Sequence, residues 1–96
     1  MDILDPGKII VIDDEQNLRE GAERILSRMD FTVFLSPTGD EGLELIDKEP
    51  IGIVLLDMKM PGMPGMEVLK KIMDMKRGII VIVITGYATV ETAIEA

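Results

Sequence analysis

The sequence predicts an α/β fold built on a doubly wound parallel sheet. Two observations carry this. Short, almost wholly apolar runs alternate with longer amphipathic segments along the 96 residues. Within each run the apolarity is continuous rather than alternating, which marks strands covered on both faces, as in a parallel sheet. Strand followed by helix with short loops then requires right-handed crossovers.

Each element has its own signal. Ile9–Ile12 marks a first strand near 8–13. Leu18, Ala22, Ile25, Leu26 and Met29 share one face of a helix near 15–29. Phe31–Leu35, broken by Thr32, marks a strand near 31–36. Thr38 and Glu41 have capping-box spacing ahead of Leu43 and Ile46, which places a helix near 39–48. Ile53–Leu56 marks a strand near 52–57. Met66, Leu69, Ile72 and Met73 form the core stripe of a helix near 65–76. Ile79–Ile84 marks a strand near 79–85, and Ala88, Val90, Ala93 and Ile94 open a helix near 88–96. Lys70, Lys71, Lys76 and Arg77 read as a solvated face, and Gly62 and Gly65 as turn residues.

Composition narrows the function. Residues 1–96 form a single domain, and a chain of this length buries only roughly 60–65% of its unfolded surface. A net charge of −8 argues against direct binding of nucleic acid or an anionic membrane. The absence of Cys removes disulfides and thiolate chemistry, and the absence of His removes the commonest general base. Met1 to Gly7 have no basic start and no apolar core, so they are no signal peptide, and the apolar run Ile79–Ile84 is too short to span a membrane. A cytoplasmic location is the expectation.

The acids fall where such a fold binds ligands, beyond the carboxyl ends of the strands. The first strand runs into Asp13-Asp14-Glu15, the third into Asp57 and the fourth into Thr85-Gly86. If the first and third strands are neighbours, Asp13, Asp14 and Asp57 converge, with Thr85 beside them. Two unit charges ~4 Å apart repel by about 4 kcal/mol at an effective dielectric near 20, so either carboxyl pKa values rise or a cation sits among them. An all-oxygen cluster favours a hard ion such as Mg²⁺ or Mn²⁺. Magnesium recruits phosphate oxygens, and a carboxylate can itself be the nucleophile that forms an acyl phosphate. Taken alone, Asp14 can equally cap the following helix, and Asp57 can be an ordinary loop acid.

Three stretches, "IIVIDDEQNLRE", "IGIVLLDMKMPGMPGMEVLKKI" and "IIVIVITGYATVETAIEA", resemble the receiver domain of two-component response regulators. The resemblance covers nearly the whole chain. It implies a flavodoxin-like sheet of strand order 2-1-3-4 in these four βα units. It implies a phosphoacceptor at Asp57, fed by a sensor histidine kinase. It implies Mg²⁺ held directly by Asp14 and Asp57, by Asp13 through water and by the backbone carbonyl of Lys59. Thr85 matches the hydroxyl that closes on the phosphoryl group, and Met60-Pro61-Gly62 matches the loop after the phosphorylated strand. The last stretch is most similar to receivers of transcriptional activators with an ATPase module, so the implied output is transcription.

Pro64 departs from the family pattern, which often has an acid there. The family's fifth strand–helix unit, with its catalytic lysine, has no counterpart among these residues, so the domain is expected to be C-terminally incomplete. A homodimer through the fourth-strand edge or the fourth helix is one way to cover that edge. Two other functions compete. One is a phosphorylation-independent interaction module. The other is a Mg²⁺-dependent aspartyl-phosphate phosphohydrolase, against which Lys59 stands where those enzymes place a second acid. The leading expectation is a signalling switch that is not an enzyme acting on an outside substrate.

Overall fold

The computed structural model describes residues 3–60 and 62–84. In chain order the elements are β1 (Asp5–Ile12), α1 (Gln16–Arg28), β2 (Thr32–Ser36), α2 (Gly39–Lys48), β3 (Ile51–Asp57), α3 (Gly65–Asp74) and β4 (Ile80–Ile84). The strands form one parallel sheet of order β2-β1-β3-β4. This is the predicted fold and strand order. The expected helix over 88–96 lies outside the described residues.

The central strands explain the continuous apolar runs. Ile9, Ile10, Val11 and Ile12 are all buried, at 3% exposure or less, because β1 has helices over both faces. One face carries the main core. Ile10 and Ile12 of β1, Val54 and Leu56 of β3 and Val81 of β4 pack there with Ile46 of α2 and Val68 and Ile72 of α3. By strand alternation Ile9 and Val11 point to the other face, where α1 lies against β1 and β2.

Helix boundaries follow local chemistry. Thr38 caps α2, with Oγ1 accepting from the Glu41 N–H at 3.2 Å, as the spacing predicted. At the far end of α2, the Arg77 guanidinium donates to the Ile46 carbonyl at 2.7 Å. That carbonyl belongs to the helix's last turn, which otherwise lacks intrahelical donors. Arg77 is therefore part of the packing between α2 and the approach to β4, not of a solvated face.

Two further expectations are corrected. The core face of α3 is Gly65, Val68 and Ile72, with Leu69 half-buried, while Met66 and Met73 stand 64% and 42% exposed. The buried set is spaced three and four residues apart, and both methionines lie one position further round the helix. Strand β1 also begins at Asp5, before the predicted start. The Asp5 N–H bonds the Pro50 carbonyl, and Asp5 pairs with Ile51 across an irregular stretch that resumes at Ile9. Pro6 and Gly7 conceal this pairing from any reading of apolar runs.

Helix α1 has no fully buried residue. Ala22 and Leu26 are half-buried, whereas Leu18, Ile25 and Met29 are exposed. Among the described residues no helix is long and apolar enough to cross a membrane.

Candidate functional site

Register builds the site. β1 and β3 are neighbours in phase, Ile12 opposite Leu56, so the residues that follow them emerge at one rim of the sheet. Asp13 leaves β1, and its N–H still bonds the Ser36 carbonyl of β2 at 3.1 Å. Asp57 is the last residue of β3, opposite Ile84 of β4. One carboxylate oxygen from each of Asp13, Asp14 and Asp57 lies within 4.8 Å of the others. The convergence expected from adjacent first and third strands is present.

The three acids differ in surroundings. Asp13 is 3% exposed, Asp57 half-buried and Asp14 exposed. Asp13 Oδ1 accepts from the Glu15 N–H at 2.9 Å, and Asp57 Oδ1 accepts from the Lys59 N–H at 2.9 Å. Burial pushes the Asp13 carboxyl above its usual range. The Glu15 N–H opposes that rise, and the charges of Asp57, Asp14 and Glu15 add to it. The site is a pocket of negative potential with hard oxygen donors.

These residues fit a Mg²⁺ ion. Octahedral magnesium with oxygens at roughly 2.0–2.1 Å takes one or two carboxylates and keeps several waters. Three carboxylate oxygens within 4.8 Å suit that mixture of direct and water-bridged contact. The capping alternative for Asp14 is not borne out, because the N-cap position of α1 falls on Glu15.

The loop after β3 has a tight point. A Cβ on Gly65 would lie 2.6 Å from Met58 Cα and 3.0 Å from the Asp57 carbonyl. Gly65 thus serves the close approach of α3 to the Asp57 segment. Gly62, at φ 82°, is the turn glycine. Pro64 takes the N-cap position of α3 without a side-chain cap. Pro61 and Thr85 lie outside the described residues.

One contact went unnoticed in the sequence. Arg19 of α1 donates from Nη1 to the Asp13 carbonyl at 2.6 Å. The available signal was charge: Arg19 is the one cation between Asp13 and Glu23.

A doubly wound sheet with three acids at its rim defines a class of phosphate- or metal-handling α/β domains. The response regulator receiver domain matches residues 9–96, and the chain belongs to that family. It is 33% identical over 89 residues to sporulation initiation phosphotransferase F of Bacillus subtilis (strain 168), covering 93% of this chain and 72% of that protein. Other curated relatives, transcriptional regulatory proteins among them, are longer. The chain spans between 18% and 36% of their length.

Among solved structures, a CheY-like receiver domain protein from Methanospirillum hungatei JF-1 superposes with a TM-score of 0.82 at 32% identity, covering 91% of this chain and 70% of that one. Response regulator TrrA from Thermotoga maritima, solved in complex with Mg(2+)-BeF, gives a TM-score of 0.80 at 32% identity, over 84% of this chain and 70% of that one.

Proposed function

We propose that residues 1–96 act as a single receiver domain and a phosphoacceptor switch, with Asp57 as the residue modified. The convergence of Asp57 with Asp13 and Asp14 at one rim carries this reading. The donor is a phosphohistidine on a sensor kinase, since this chain contains no His. An Asp57 carboxylate oxygen attacks phosphorus, a P–O bond forms and the P–N bond breaks. The imidazole leaves with the electron pair and takes up a proton. Holding the nucleophile at the end of a buried strand aims it more firmly than a loop would.

Asp14, Asp57 and the Lys59 carbonyl would hold Mg²⁺, with Asp13 acting through water. The relative solved with Mg(2+)-BeF supports that assignment. When bound, the ion neutralises charge between the carboxylates and the incoming phosphoryl oxygens. The Lys59 N–H already donates to Asp57 Oδ1, which leaves the other carboxylate oxygen to attack. Thr85 follows Ile84, whose carbonyl accepts from the Met58 N–H at 3.1 Å, so β4 is tied to the segment after Asp57. Phosphorylation adds about −1.5 to −2 charge at the rim. Thr85 answers it by hydrogen-bonding the phosphoryl group, and the output is control of transcription in the cytoplasm.

The test is incubation with a labelled small-molecule phosphodonor and Mg²⁺. Label should enter the wild-type protein, be lost on chelation and be absent from Asp57→Asn. Label that persists in Asp57→Asn would refute the assignment.

A further inference from the structure

Asp13 is held at every polar group the structure describes for it. Its N–H donates to the Ser36 carbonyl, its Oδ1 accepts from the Glu15 N–H, and its carbonyl accepts from Arg19. The first contact is backbone to backbone, and the second is a local turn bond from Asp13's own carboxylate to a backbone N–H two residues on. The third depends on one side chain, reaching back six positions from α1. It is short, at 2.6 Å, as charge-assisted bonds are. It also joins the site to a helix with no fully buried residue of its own.

The choice of acceptor matters. A guanidinium beside three carboxylates has every electrostatic reason to pair with them. Such a pair would occupy the oxygens a divalent ion needs. Nη1 of Arg19 instead takes the main-chain carbonyl, which fixes the Asp13-Asp14 turn and leaves the carboxylates facing one another.

We infer that Arg19 is a positioning residue for the divalent-ion site, setting the turn that presents Asp13 and Asp14 without competing for the ion. This rests on the proposed Mg²⁺ role of the acids. Two effects of removing Arg19 have opposite signs. Loss of a nearby positive charge would strengthen cation binding. Loss of the hydrogen bond that orients a ligand-bearing turn would weaken it, typically by about tenfold or more for such supporting partners. Positioning requires that the second effect win.

The experiment is a Mg²⁺ titration of the protein by calorimetry, at high salt to screen the long-range charge term, with thermal melts alongside. Arg19→Met keeps the stem and removes the donor. It should raise the Mg²⁺ dissociation constant about tenfold. Arg19→Lys, which keeps charge and one donor, should fall between Arg19→Met and wild type. Affinity unchanged or improved in Arg19→Met overturns the proposal, and so does a lowered melting temperature with an unchanged dissociation constant.

A second measurement needs no variant. In the wild-type protein the Arg19 Nη protons should give resolved NMR signals that shift as Mg²⁺ is added. A freely rotating guanidinium indifferent to the ion overturns the inference even if Arg19→Met fails to fold. Wild-type protein that takes up no Mg²⁺ overturns the reading of the acids, and this proposal with it. Wild type and Arg19→Met that bind equally overturn this proposal alone.

Discussion

At the scale of single residues, Asp13 carries the tension of the site. Its carboxyl is raised above the ordinary value of 3.8, first by burial and then by neighbouring acids. The sign follows from proton linkage. Between the unfolded and folded pKa values the native state binds more protons than the unfolded chain, so stability falls as pH rises through that window. Above it, the ionised group is a standing cost to the metal-free fold. Asp13→Asn removes the charge while keeping an Oδ1 acceptor for the Glu15 N–H. In chelator, urea unfolding should show Asp13→Asn more stable than wild type at neutral pH, with the difference shrinking as pH drops below the raised Asp13 value. A difference that stays constant down to acid pH would remove the linkage. That Asp13, Asp14 and Asp57 belong together was legible because each ends an apolar run. Which of them is buried was not, because the 3% exposure of Asp13 depends on how distant parts of the chain pack around it, which no local pattern encodes. Arg19 was hidden for the same reason: its partner is a backbone carbonyl, and backbone acceptors leave no trace in residue identity.

Elements were legible in proportion to how much local chemistry defines them. The capping box at Thr38 and Glu41 placed the start of α2, since that signal is complete within four residues. In the structure the Thr38 hydroxyl accepts from the Glu41 N–H at 3.2 Å and donates to Glu41 Oε2 across a longer 3.4 Å. Both contacts pass through Thr38 Oγ1, and only the longer one needs the Glu41 side chain, so the two residues should differ in weight. Thr38→Ala should cost about 1 kcal/mol of unfolding free energy, and Glu41→Ala a small fraction of that. The shift of the urea midpoint at constant m-value is the measurement, and equal losses would mean the box acts as one unit. The face of α3 was misread because Met66 and Met73 extend the apolar pattern beyond the stripe the sheet covers. Periodicity identifies the helix, but when apolar residues spread past a single stripe, only the neighbouring strands decide which of them are buried. The start of β1 was missed for a complementary reason. Asp5 is polar and Pro6 lacks a donor, yet Asp5 pairs with Ile51 at the edge of the core.

At the scale of the whole molecule, topology turns scattered acids into a site. The alternation of strands and helices was readable directly, and right-handed crossovers limit how four strands can be arranged. The order β2-β1-β3-β4 is what places Asp13 and Asp57 on adjacent strands at the same rim. The chain as a whole is acidic, at −8, so two kinds of cation effect must be separated. Any salt screens repulsion among surface charges and favours the compact state. A bound ion adds stabilisation through mass action, about 2.7 kcal/mol when its concentration reaches a hundred times its dissociation constant. Thermal unfolding in MgCl₂ and in NaCl of matched ionic strength divides the two. Wild-type protein should gain clearly more from MgCl₂. Asp14 is the acid to change, because it is exposed and its loss should leave packing undisturbed. Asp14→Asn lowers the acidic count by one of 18, too little to alter general screening, yet it removes one of the three converging carboxylates. Its gain from MgCl₂ should shrink to the NaCl level. If Asp14→Asn keeps the full magnesium response, the stabilisation comes from the acidic surface at large, and the rim of the sheet holds no ion of its own.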